Sequence, residues 1–142
     1  MTHLFWDTNL YIYLLDTTSP FHPPVDAMRR KMLAAQIRLV TSTMTLGELI
    51  AGPRNDGNEA LAAQYRAALT QSSTIVPFDE RAADLYATIR TQRVKQPDAI
   101  QLASAATHGV ELFVTNDDKL WKLRIPGIHF IVSIETAIGL IA

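Results

Sequence analysis

Short apolar runs alternate with longer amphipathic stretches along this chain, and that alternation limits the fold more than any other feature. Runs at residues 4–6, 38–42, 73–77, 111–115 and 128–132 read as five strands. Stretches at 10–15, 25–36, 43–51, 59–69, 98–108 and 134–141 read as helices, with a further helix capped by Asp79 and burying Ala82, Ala83, Leu85, Tyr86 and Ile89. Pro20, Pro23 and Pro24 predict a loop over 19–24, and Gly52-Pro53 predicts a helix end at Ala51. Pro97 suits a helix start and Gly109 a helix end. Residues 117–123 read as a short helix or turn. Strands alternating with helices imply the α/β class, a mainly parallel sheet with helices on both faces.

The chain has 142 residues, enough for one domain spanning 1–142. Its hydrophobic fraction of 48% supports a full core. No run nears the roughly 20 apolar residues of a membrane span. Met1-Thr2-His3-Leu4-Phe5-Trp6-Asp7 lacks a basic segment and a long apolar segment, so no signal peptide is expected there and cytoplasm is the default. Without cysteine, disulfides, thiolate zinc sites and cysteine nucleophiles are excluded. The net charge of −1 gives no global sign of a nucleic-acid binder, so such contact needs a local basic patch or a metal bridging to phosphate.

Four acids fall where strands end or helices begin: Asp7, Glu48, Asp98 and Asp117. In open parallel sheets, sites form at the C-terminal ends of strands where strand order reverses. Asp7 follows the first strand and Asp117 the fourth, so the two converge if those strands are neighbours. Glu48 lies in the helix after the second strand, and Asp98 begins the helix before the fourth. Carboxylates in apolar surroundings are costly unless paired or bound to a cation. A hard divalent metal such as Mg²⁺ or Mn²⁺ takes oxygen ligands, keeps several waters and activates water toward phosphate.

Each acid also has a purely structural use: an Asx-turn for Asp7, a solvated helix face for Glu48, a favourable dipole end for Asp98, a cap for Asp117. Asp118 stands to replace or assist Asp117. Thr8, Asn9, Thr115 and Asn116 are placed either to hydrogen-bond these acids or to form turns. His3, His22, His108 and His129 lack zinc-ligand spacing, and phosphate-loop, dinucleotide-binding and nucleophile-elbow motifs are missing.

Phe5-Trp6-Asp7-Thr8-Asn9, Glu48 within Thr45-Leu46-Gly47-Glu48-Leu49, Pro97-Asp98 followed by Ala-Ile-Gln-Leu-Ala-Ser-Ala, and Val114-Thr115-Asn116-Asp117 together resemble the PIN-domain ribonucleases. The likeness is greatest to VapC-type toxins of toxin–antitoxin pairs, and it covers nearly the whole chain. The resemblance implies a three-layer α/β/α domain with a five-stranded sheet. It implies Mg²⁺- or Mn²⁺-dependent cleavage of RNA by activated water. Asp7, Asp98 and Asp117 would be the main metal ligands, with Glu48 acting directly or through water and Asp118 as a further candidate. Thr115 would supply a supporting hydroxyl and Asn9 would hold the loop. A homodimer and a cognate antitoxin are implied as partners. Arg54, just after the Glu48 helix, and Lys95, near Asp98, are the candidate RNA contacts.

A different class of function shares this fold: a catalytically silent module that binds RNA or a protein partner and cuts nothing. Loss of one of the four acids would favour it, and all four are present. A phosphohydrolase of the haloacid-dehalogenase kind would want a second Asp where Asn9 stands, and Pro77-Phe78-Asp79 matches a phospho-acceptor site only in part.

Overall fold

The computed structural model describes residues 1–141. Five strands run parallel: β1 (His3–Trp6), β2 (Arg38–Ser42), β3 (Thr74–Val76), β4 (Val110–Val114) and β5 (Ile128–Val132). Their order across the sheet is β3-β2-β1-β4-β5. Strand order therefore reverses between β1 and β4, the adjacency needed to bring Asp7 toward Asp117. Leu4 lies beside Leu39 on one side and Leu112 on the other, and Phe5 beside Val40 and Phe113.

Side chains alternate across a strand, and here both faces are apolar. Phe5, Val40, Val76 and Phe113 enter one core cluster with α5 (Glu80–Arg90) and α6 (Gln96–His108). Leu4, Trp6, Leu39, Leu112 and Val114 enter the other. That second face is covered by α1 (Thr8–Leu15), α2 (His22–Ala34) and α7 (Ile134–Leu140), with Leu49 and Leu69 reaching in from α3 (Thr43–Asn55) and α4 (Glu59–Ser72). The result is a three-layer α/β/α domain. At its centre the Phe5 and Phe113 rings stack with centroids 4.9 Å apart. No helix among the described residues is long and apolar enough to cross a membrane.

Two expectations about proline fail. The loop read over 19–24 ends early, because α2 starts at His22 and holds Pro23 and Pro24 in its first turn. The first-turn N–H groups have no partner within a helix, so proline loses nothing there. Likewise α3 does not stop at Ala51 but runs through Gly52 and Pro53 to Asn55. The Asp56 N–H closes on the Gly52 carbonyl at 3.2 Å and the Asn58 N–H on the Pro53 carbonyl at 2.8 Å, so the last turn is capped beyond the proline. Ser42 caps α3, accepting from the Thr45 N–H at 3.3 Å. Asp7 caps α1, which starts at Thr8, by accepting the Asn9 N–H. β4 spans Val110–Val114, so Thr115 stands just past the strand. Residues 118–120 form one 3₁₀ turn capped by Asp117.

Two contacts away from the strand ends fix the sheet. Gly127 has φ +98°, and a Cβ there would lie 2.2 Å from the Ala106 carbonyl oxygen at the end of α6. Gly127→Ala is expected to cost about 3 kcal/mol through overpacking and left-handed strain, read as a lowered midpoint in urea unfolding. At the other contact, Glu111 accepts the Thr2 N–H at 2.9 Å, the Thr2 hydroxyl at 2.8 Å and the His3 N–H at 2.9 Å. Partial burial pushes its pKa up, but these hydrogen bonds outweigh that and bring it from 4.5 to about 2. A depressed carboxyl stabilises the fold above its unfolded pKa and loses that contribution as pH falls. Glu111→Gln should therefore lower stability at pH 7 by about 1 kcal/mol, a value discounted for solvent screening. The gap should close between pH 4.5 and about 2, as measured by denaturation at a series of pH values.

Candidate active site

The end of β1 and the end of β4 meet at the C-terminal edge of the sheet. The Asp7 N–H donates to the Val114 carbonyl at 3.3 Å, tying the two strand ends together. The Asp7 carboxylate is buried, at 8% exposure. One oxygen accepts the Asn9 N–H at 2.8 Å and the other accepts the Thr115 hydroxyl at 2.7 Å. Thr115 in turn accepts the Asp117 N–H at 3.1 Å, so one threonine joins two of the acids. The Trp121 indole N–H holds the Thr115 carbonyl at 3.0 Å. Asn9 makes its contact with Asp7 through its main chain.

A crevice of about 240 Å³ opens beside Asp7, bordered by Thr8, Asn9, Ile12, Glu48, Pro97, Asp98 and Gln101. Asp98 sits in the first turn of α6 and is half-buried. It also borders a second hollow, which Asp117 lines with it. Glu48 reaches the crevice from α3, and its Oε1 accepts the Thr8 hydroxyl at 2.7 Å. All four acids predicted from the sequence thus face one region. Asp118 is exposed and borders neither hollow. Lys95 lines the second hollow beside Asp98 and Asp117. Arg54 lines neither, and its guanidinium is held by Glu59 at 2.8 Å.

Nothing in the crevice neutralises this charge. Among the described residues the only ion pairs are Arg30–Asp26 and Arg54–Glu59. Burial pushes the Asp7 carboxyl above the usual range; the Thr115 and Asn9 hydrogen bonds pull it back, while Glu48 and Asp117 push it further up. Asp98 is likewise raised, first by burial, then by repulsion from Asp117 and Asp7, with Lys95 opposing. Among the described residues no three His, Cys, Asp or Glu side chains are arranged to close around a metal ion. The fit to a hard divalent cation lies in the donor chemistry: carboxylate oxygens only, one of them deeply desolvated, with no lysine or arginine bound among them.

Behind the crevice lies a buried polar network that the sequence did not single out. Gln101 Nε2 donates to the Thr8 hydroxyl at 3.0 Å and to the Thr45 hydroxyl at 2.8 Å, and its Oε1 accepts from Ser42. The Thr41 hydroxyl lies 2.9 Å from that of Thr45 and 3.0 Å from the Trp6 carbonyl. One glutamine thereby links α1, α3 and α6, the helices that carry or position Asp7, Glu48 and Asp98. The available signal was spacing: Gln101 follows Asp98 by three residues, on the same helix face, between apolar neighbours. Gln101→Leu should cost about 1–3 kcal/mol in urea unfolding, because it leaves buried hydroxyls without their partner.

The family model for the PIN domain matches residues 4–125. The fold is similar to that of a chain in VapBC2 from Rickettsia felis bound to a DNA fragment from their promoter. The TM-score is 0.71 and the identity 17%, over 93% of this chain and 98% of that one. It is similar to a chain of DNA-bound VapBC from Salmonella typhimurium, at TM-score 0.72 and 24% identity over 94% and 99%. A chain of a toxin–antitoxin complex from Klebsiella pneumoniae aligns at TM-score 0.64 and 26% identity over 88% and 94%. No curated protein matches the chain.

Proposed function

The chain belongs to the PIN domain family, and on that premise we propose that it is a metal-dependent endoribonuclease, the VapC-type toxin of a toxin–antitoxin pair. The observation that carries this reading is the gathering of Asp7, Glu48, Asp98 and Asp117 at the β1–β4 switch point with no cation paired to any of them. The likeness to chains solved in toxin–antitoxin complexes supports a cognate antitoxin as partner. A homodimer and a place in the cytoplasm belong to the same reading.

Asp7, Asp98 and Asp117 would hold Mg²⁺ or Mn²⁺. When bound, the cation supplies charge to polarise the scissile phosphate and lowers the pKa of the attacking water. Thr115 fixes the Asp7 carboxylate through its hydroxyl and the main chain of Asp117 through its oxygen, setting the spacing of the two acids. Glu48 stands across the crevice with one oxygen held by Thr8, leaving the other to act on the ion directly or to orient a water and take its proton. Water adds to phosphorus, the bond from phosphorus to one ribose oxygen breaks, and that oxygen leaves as a hydroxyl.

Asp7→Asn and Asp98→Asn are each expected to lower RNA cleavage in Mg²⁺ or Mn²⁺ by about a hundredfold or more, measured on labelled RNA. Undiminished metal-dependent cleavage in both variants overturns the assignment. Calorimetry with Mn²⁺ separates the silent binding module, which takes up no metal and cuts nothing, from the nuclease, which does both.

A further inference from the structure

Asp98 stands on a ridge between two hollows of opposite character. On one side is the acidic crevice. On the other is a hollow of about 340 Å³ bordered by Arg93, Lys95, Lys119 and Lys122. The only acids on its border are Asp98 and Asp117. The chain has 13 lysines and arginines and a net charge of −1, so four cations at one place are a marked local concentration. None of the four is in an ion pair among the described residues. Like charges gathered without partners repel one another, and a polyanion relieves that repulsion.

The cations rest on fixed supports. Buried Val94 and Leu120 line the same hollow, at 7% and 4% exposure. Arg93 has φ +63°, left-handed backbone that a non-glycine residue seldom adopts, in the turn joining α5 to α6. Such strain persists where the surroundings hold it, and it often coincides with a binding site. The Lys119 N–H donates to Asp117 at 3.1 Å, so this lysine's main chain is tied to one of the acids it flanks.

We propose that this hollow seats the phosphates of the RNA strand on one side of the bond being cut. This rests on the nuclease reading above and adds a direction to it. The strand crosses the Asp98 ridge with the scissile phosphate at the acids and its neighbours against Lys119, Lys122, Arg93 and Lys95. The crevice repels the strand in the absence of metal, so grip comes from this one flank. An acidic peptide is a different ligand for the same charges. Phosphate is favoured because the hollow shares Asp98 with the crevice that would cut it.

The test is binding of a fluorescent single-stranded RNA of about 12 nucleotides, read by anisotropy with EDTA present so that no bond is cut. The proteins are wild type, Lys119→Gln/Lys122→Gln, Arg93→Gln/Lys95→Gln, and a control, Lys31→Gln/Arg66→Gln, whose residues border neither hollow. Each hollow pair should weaken binding about tenfold and lower the slope of log affinity against log salt by about 1.4, the value for two phosphate contacts on a single strand. The control should match wild type. All four substituted residues of the hollow are exposed, and circular dichroism confirms that each variant is folded. Unchanged affinity and slope in both hollow pairs overturns the proposal. So does loss of affinity for a polyglutamate peptide with RNA binding intact. Wild type that binds RNA through these cations but cuts none in Mg²⁺ overturns the nuclease reading alone.

Discussion

A buried carboxylate with no lysine or arginine paired to it among the described residues is the constraint around which this structure is arranged. Asp7 is nearly closed from solvent, and burial of that charge is unfavourable unless its oxygens are satisfied. Two donors meet that need, the Asn9 main chain and the Thr115 hydroxyl, and both depend on the sheet. Asn9 is placed by a helix that starts as soon as β1 ends. Thr115 is placed because β4 lies beside β1 and ends at Val114, level with Trp6. What remains uncompensated is the net charge, shared with three further acids at the same edge.

The large features of this arrangement were legible in the sequence because they follow from local pattern. Five apolar runs gave five strands, and the alternation gave the parallel sheet and the layers. The four acids were legible because each falls just after a strand, at a helix start or within an apolar helix stretch. Other features depend on tertiary context. Pro23 and Pro24 look like helix breakers until the start of α2 places them where no N–H is required. Pro53 looks like a stop until Asp56 and Asn58 cap the turn beyond it. The spacing of Gln101 from Asp98 places it on the crevice side of the helix but does not reveal its partners, since Ser42, Thr45 and Thr8 are 56 to 93 residues away in the chain.

That glutamine explains how an edge made of separate helices becomes a fixed frame. α1, α3 and α6 each begin near the crevice, and each would otherwise be free to shift on its own apolar contacts. Hydrogen bonds among Gln101, Thr8, Thr45 and Ser42 resist such shifts because any slip leaves a buried polar atom unsatisfied. Positions held this way cost no reorganisation when a ligand arrives, which is the condition for electrostatic stabilisation of a reacting phosphate.

The position of β1 at the middle of the sheet has a temporal consequence. Leu4 is made 108 residues before its neighbour Leu112. Pairings so distant in sequence form late, after the intervening loop has been closed. A nascent chain that ends between Asp98 and Thr115 has Asp7, Glu48 and Asp98 but lacks the Thr115 hydroxyl that Asp7 needs and the fourth acid. The crevice is thus assembled only after Thr115 and Asp117 have been made, and fragments that stop between Asp98 and Thr115 carry three of its acids without the edge that brings them together.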